Sequence, residues 1–149
     1  MRVLQNVGIY PSYSARLAQL VPVGASYQAI VDEFRRDGFE SCHVLKGALE
    51  ADPNFFLALG NHAPAQAAWA RENGLPKDAD PTDILLAQLE HHRAEVFYNL
   101  DPVRFDDRML SRLPSCVKRT IAWSAAPTPH NRFQRYDLVI NNFPGILAR

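Results

Sequence analysis

Short apolar segments alternate with helical patterns along this chain, and the alternation constrains the fold more than any other feature of the sequence. The segments rich in β-branched or aromatic residues are 3–9, 94–100, 117–123 and 138–140. A further apolar segment, 42–45, is too short to separate strand from helix. Strands that alternate with helices form parallel sheets covered by helices on both faces. The sequence therefore predicts an α/β domain with a Rossmann-like or flavodoxin-like, mostly parallel sheet of about five strands.

Residues with known preferences for helix ends locate the helices. Ser26 and Gly38 predict a helix over 26–36, and Asp80 with Pro81 predicts one that ends near residue 92. Between residues 47 and 93 the pattern is helical almost throughout, with breaks at Pro53, at 60–64 and at 73–80. We therefore expect a helical insertion over about 47–80. A short helix is predicted over 106–113.

Length and charge limit the possible functions. The 149 residues fit one domain, and 16 Lys plus Arg balance 16 Asp plus Glu. This balance excludes the basic surface typical of nucleic-acid binders, and it provides no general attraction to anionic membranes. Cys42 and Cys116 form no disulfide framework or Cys-x-x-Cys motif, and no apolar run has the length of a signal peptide or a membrane span. We expect a cytoplasmic protein without a transmembrane segment or a nucleic-acid partner.

Several familiar motifs are missing from the sequence. It contains no G-x-G-x-x-G, no G-x-x-x-x-G-K-[ST] and no G-x-S-x-G. Gly8 and Tyr10 stand where a receiver domain has an acidic pair. The adjacent His91 and His92 point in different directions on their helix, unlike the i, i+4 pair of a zinc site. We therefore predict that this domain holds no metal and no cofactor.

Four loops that follow predicted strands carry polar or aromatic side chains. They span residues 8–13, 99–104, 123–127 and 141–145. Ligands of open parallel sheets bind beyond the carboxyl ends of the strands, so together these loops predict a small-molecule site. Its candidate residues include Trp123, Ser124 and Asn142. The alternative is that the prolines and asparagines simply end strands.

The loops also carry a resemblance to a known family. Ile-Tyr-Pro-Ser-Tyr at 9–13, the segment 94–102, Ile-Ala-Trp at 121–123 and Tyr-Asp-Leu-Val-Ile at 136–140 resemble the N-terminal half of GT-B glycosyltransferases. The bacterial family of the spore maturation protein CgeB is the most similar group. The likeness covers both ends of the chain, whereas residues 47–77 depart from it.

The resemblance implies that this chain is the acceptor-side half of a longer two-domain enzyme. Such an enzyme transfers a sugar, in bacterial polysaccharide or glycoconjugate synthesis, from a nucleotide-sugar donor held by a C-terminal glycosyltransferase domain. By position, Tyr10, Tyr13, Asp101 and Arg104 would then line the site for a sugar or glycoconjugate acceptor, and Asp101 is the candidate catalytic base. A structural alternative is that Asp101 only fixes the turn before Pro102. The alternative function is a non-catalytic α/β module that binds a ligand or a protein through its last strand and its helical insertion.

Overall fold

A computed structural model describes residues 1–39, 45, 48, 51–124 and 133–141. In chain order the elements are β1 (Val3–Asn6), α1 (Pro11–Leu20), α2 (Tyr27–Asp37), β2 (Phe55–Ala58), α3 (Ala63–Glu72), α4 (Pro81–His91), β3 (Val96–Asn99), α5 (Asp107–Leu110), β4 (Arg119–Trp123) and β5 (Leu138–Ile140). The strands form one sheet in the order β2-β1-β3-β4-β5, and every neighbouring pair is parallel. The predicted α/β class and five-strand parallel sheet are confirmed, and this strand order is the flavodoxin-like one.

The second strand is where the sequence prediction fails. Apart from Leu45, the segment 42–45 lies outside the described residues. Phe55–Ala58, within the stretch predicted to be helical almost throughout, forms β2 and pairs with β1. The prediction is wrong there because four apolar residues in succession carry no period that distinguishes a buried strand from a helix. The region 47–80 thus contributes a strand to the sheet, so it is not a purely helical insertion.

The helices with recognisable end residues form as predicted. Ser26 Oγ accepts a hydrogen bond from Ala29 N at the start of α2, and Gly38 ends that helix with a φ of 72°. At the start of α4, Asp80 accepts a hydrogen bond from Thr82 N. These bonds satisfy N–H groups that have no partner within the first helical turn.

Two other helices differ from the prediction. The sequence places residues 11–13 in a loop, whereas Pro11 begins the ten-residue α1. Proline often ends a strand, but it is also well suited to the first turn of a helix, and Pro11 occupies that position in α1. The helix predicted over 106–113 is confined to the four residues of α5, since Pro114 follows closely.

Two apolar clusters pack on the two faces of the sheet. Successive strand residues point to opposite faces, so Leu57 joins one cluster and Ala58 the other. The first cluster contains side chains of α1, α2 and α3, among them Leu17, Phe34 and Trp69. The second contains side chains of α4 and α5, among them Leu85, Leu89 and Met109. Helices therefore cover both faces of the sheet, as the alternation predicts.

A buried amide pair joins the carboxyl ends of the neighbouring strands β1 and β3. Asn6 and Asn99 are register partners at the last positions of β1 and β3, and both are fully buried. Asn6 Nδ2 donates to Asn99 Oδ1 at 2.9 Å, and Asn6 Oδ1 accepts from Gly60 N at 3.0 Å. The pair therefore ties the loop after β2 to the junction of β1 and β3.

Asn99 extends this network towards the next loops. Its Oδ1 also accepts from Asp101 N at 3.0 Å, and its Nδ2 donates to the Phe105 carbonyl at 3.0 Å. The same Nδ2 lies 2.7 Å from the Tyr136 hydroxyl, which in turn donates to the Phe105 carbonyl. One side chain thus holds the backbone between residues 99 and 105 in place.

We predict that Asn99→Ala lowers the free energy of unfolding by about 3 kcal/mol, because each buried polar group that loses its partner costs about 1 to 3 kcal/mol. Urea denaturation monitored by circular dichroism measures this change. Asn73→Ala is the matched control, since Asn73 is exposed and its side chain makes one hydrogen bond, to the Trp69 carbonyl. Equal losses in the two variants would contradict a central role for the network.

Candidate functional site

A pocket of about 290 Å³ opens where the strands of the sheet end. The pocket is lined by residues at the carboxyl ends of four strands. These are residues 8–11 after β1, Asn61 after β2, Asp101 and Arg104 after β3, and Trp123 at the end of β4. From β1 the sheet grows towards β2 on one side and towards β3 on the other, so the winding of the chain reverses between β1 and β3. Open α/β sheets bind their ligands at this reversal, beyond the carboxyl ends of the strands.

The loops after β1 and β3 approach each other so closely that one position tolerates only glycine. A Cβ atom placed on Gly8 would lie 2.7 Å from Asp101 Cβ and 2.8 Å from Asp101 Oδ2. Contacts this short do not occur between real side chains, so a larger residue would push the two loops apart. Gly8 therefore permits the Asp101 carboxyl group to lie against the backbone that follows β1.

Asn61 holds the other side of the pocket. Its Oδ1 accepts from Ile9 N at 2.9 Å, and its Nδ2 donates to the Ile9 carbonyl at 2.8 Å. The side-chain amide therefore pairs with the backbone just before Tyr10 and fixes its course. Sequence reasoning missed Asn61 because it missed β2; a strand at 55–58 would have placed residue 61 at the same edge of the sheet as the other loops.

Asp101 is the most unusual charged group in the pocket. Its side chain is only 18% exposed, and the Nε of Arg104 lies 3.8 Å from its Oδ2. Burial raises the pKa of this carboxyl group, although the nearby Arg104 acts in the opposite direction. The contact that would make Asp101 a turn residue, from Arg104 N to its Oδ1, is long at 3.4 Å. Asn99 holds this turn more firmly, through its 3.0 Å bond to Asp101 N.

Two aromatic side chains complete the lining. Tyr10 is 67% exposed, although it is a large and partly apolar residue, and its ring meets Phe39 edge-on at 6.3 Å. Trp123 is half-buried at the end of β4. The pocket thus combines two aromatic rings with a carboxylate and a guanidinium group, and it brings together four of the residues singled out from the sequence: Tyr10, Asp101, Arg104 and Trp123.

The structure places three other candidates differently. Tyr13 is corrected from a pocket residue to a core residue, because it is 6% exposed and its ring stacks on Phe39 with centroids 3.6 Å apart. Ser124 is buried and does not line the pocket; its N–H donates to the Ile140 carbonyl and connects β4 to β5. Asn142 lies outside the described residues.

The histidines of the described segments take part in packing. His62 is fully buried, with Nδ1 2.8 Å from Ser14 Oγ, and the ring of His92 stacks on Phe56. No group of three or more His, Cys, Asp or Glu side chains that could hold a metal ion occurs in the part of the chain that the structure describes. In the same residues, no helix combines the length and the apolar character needed to cross a membrane.

We predict that Asp101→Asn leaves the free energy of unfolding at pH 7 unchanged or raises it. The raised pKa means that the folded state binds the proton more tightly than the unfolded state, so the contribution of Asp101 to stability falls as pH rises from about 3.8 through the folded pKa. Asparagine removes the buried charge but keeps an oxygen that accepts from Arg104 N. Urea denaturation at pH 7 and pH 4 measures the difference, which should shrink at the lower pH.

Asp80→Asn is the control with the opposite sign. Hydrogen bonds from Thr82 lower the pKa of Asp80, so its ionised form contributes stability that is present above pH 3.8 and is lost as pH falls through the folded pKa. Asp80→Asn should therefore lower stability at pH 7, whereas Asp101→Asn should not. A loss in Asp101→Asn as large as that in Asp80→Asn would favour the structural turn role for Asp101.

Comparisons with known proteins identify no relative of this chain: no family model matches it, and no match is found among curated proteins or solved structures.

Proposed function

We propose that this domain binds a sugar acceptor in the strand-end pocket and acts as the acceptor-side domain of a GT-B type glycosyltransferase. The observation that carries the proposal is the convergence of two aromatic rings, a partly buried carboxylate and a guanidinium group at the reversal between β1 and β3. The reaction would transfer a sugar from a nucleotide-sugar donor in bacterial polysaccharide or glycoconjugate synthesis.

The chemistry of the pocket suits a sugar ring. The apolar C–H faces of sugars pack on aromatic rings, here those of Tyr10 and Trp123. Hydroxyl groups both donate and accept hydrogen bonds, and Asp101 and Arg104 provide the matching acceptor and donors. The volume of about 290 Å³ is at the lower end of ligand pockets, which range from about 300 to 1,000 Å³, so it fits a single ring.

Asp101 is the candidate base in this proposal. A carboxylate whose pKa is raised by burial accepts a proton more readily than an exposed one, and glycosyl transfer requires the removal of a proton from the attacking hydroxyl group. The donor would be held by a C-terminal glycosyltransferase domain. The missing glycine-rich phosphate motifs of this chain support that division of roles.

Substitutions in the pocket should weaken sugar binding without unfolding the protein. We predict that Asp101→Asn lowers the affinity for a bound monosaccharide about tenfold to a hundredfold, because a hydrogen bond to a charged group contributes about 1.5 to 3 kcal/mol. Trp123→Ala should lower it about threefold to tenfold through the loss of ring contact. NMR titration of the 149-residue chain with glucose, galactose, mannose and N-acetylglucosamine measures these affinities.

Asp78→Asn is the matched control, since Asp78 is exposed and does not line the pocket. It should bind sugars as the unsubstituted chain does. The proposal is wrong if none of the four sugars shifts the resonances of Tyr10, Asp101 or Trp123, or if the affinity of Asp101→Asn equals that of Asp78→Asn.

The non-catalytic protein-binding module is the second candidate, and the last strand favours it. Leu138 and Ile140 on β5 are 52% and 41% exposed, unusual values for apolar strand residues. If this surface joins two copies of the chain, light scattering should detect a dimer, and Ile140→Lys should convert it to a monomer. A monomeric unsubstituted chain at about 100 μM would contradict self-association.

A further inference from the structure

A second pocket lies beside the first one, and the two share Arg104. The second pocket has a volume of about 350 Å³. Asp80, Thr82 and Asp83 from the start of α4 line one side, while Arg108 and Arg112 from α5 and the turn after it line another. The sequence predicts a short helix over 106–113, but nothing in it connects this helix with α4.

The charges of this second pocket are balanced. Three guanidinium groups, of Arg104, Arg108 and Arg112, face three carboxylates, of Asp80, Asp83 and Asp106. Arg112 and Asp83 form an ion pair at 2.5 Å. The guanidinium group of Arg108, in contrast, forms no ion pair within the described segments, and its side chain is exposed. Arg108 therefore offers hydrogen-bond donors to a ligand.

Acceptors remain in the pocket as well. Asp80 and Asp106 each use Oδ1 to accept from a backbone N–H, that of Thr82 and that of Arg108 respectively. A carboxylate has about four lone-pair sites, so both groups can accept further hydrogen bonds. The pocket thus presents donors and acceptors close together, with no net charge.

This combination favours a neutral polyhydroxylated ligand over an anion. A hydroxyl group donates and accepts at once, so it can use a guanidinium group and a carboxylate in the same site. A phosphate could use only the guanidinium groups and would be repelled by the three carboxylates. The ligand class that matches this pocket is therefore the same class that the first pocket matches.

We infer that the second pocket holds a second sugar residue of the acceptor, so that the acceptor is an oligosaccharide whose two residues lie on either side of Arg104. This inference rests on the proposed function, because it takes the first residue to be bound beside Tyr10 and Trp123. Each pocket has the volume for one ring, and the shared Arg104 makes them neighbours.

The test compares monosaccharides with their disaccharides on the 149-residue chain. Glucose is paired with maltose and cellobiose, galactose with lactose, and N-acetylglucosamine with chitobiose; isothermal titration calorimetry or NMR titration measures the affinities. At least one disaccharide should bind about tenfold more tightly than its monosaccharides. Arg108→Gln should lower the affinity for that disaccharide about fivefold to tenfold and leave the affinity for the monosaccharide unchanged. Arg36→Gln, which changes an exposed arginine on α2, is the control and should change neither.

The outcomes separate this inference from the function on which it rests. Monosaccharide binding at the first pocket without a gain for any disaccharide would overturn the inference and leave the proposed function standing. Glucose 6-phosphate binding more tightly than glucose, with the difference lost in Arg108→Gln, would overturn it in favour of an anion site. If no sugar binds at all, the proposed function and the inference are both wrong.

Discussion

The loops at the carboxyl ends of the strands depend most on one interaction, the hydrogen bond between Asn6 and Asn99. It joins the last residues of β1 and β3, and the side-chain oxygens of the pair accept from the backbone N–H groups of Gly60 and Asp101. Both amides are fully buried, so each bond lost would leave a group without a partner in a place where water does not replace it. The geometry of the strand-end pocket therefore depends on Asn6 and Asn99, which do not line it.

The pocket combines a close approach of two loops with a partly buried carboxylate, that of Asp101. Gly8 allows the chain after β1 to pass against Asp101, and this contact removes water from the carboxylate and raises its pKa. Such an arrangement lowers stability at neutral pH, and the weak contact to Arg104 at 3.8 Å offsets only part of it. Local rules of strand and turn formation do not require a buried acid at this position. A carboxyl group whose pKa is raised by burial inside a pocket is a candidate functional group.

Local signals and long-range contacts explain what the sequence could and could not predict. Ser26, Gly38 and Asp80 act within one helical turn, so their helices were predictable from neighbouring residues alone. β2 was not, because Phe55–Ala58 becomes a strand through pairing with β1, and nothing within four residues indicates that pairing. The sequence places Tyr13 in the pocket for a related reason: Pro11 indicates a loop, whereas the helix that it begins directs Tyr13 into the core beside Leu17.

The same distinction applies to the candidate site. The rule that ligands bind beyond parallel strand ends needs only the strands that precede the loops, and so Tyr10, Asp101, Arg104 and Trp123 could be found together from the sequence. To predict Asn61 as a pocket residue, one would first have to predict β2. To predict the second pocket, one would have to know that α4 packs against the α5 region, which no spacing in the sequence shows. Arg104 belongs to both pockets because it follows β3 and precedes α5. Because it lies between these two elements, its side chain is part of the lining of both pockets.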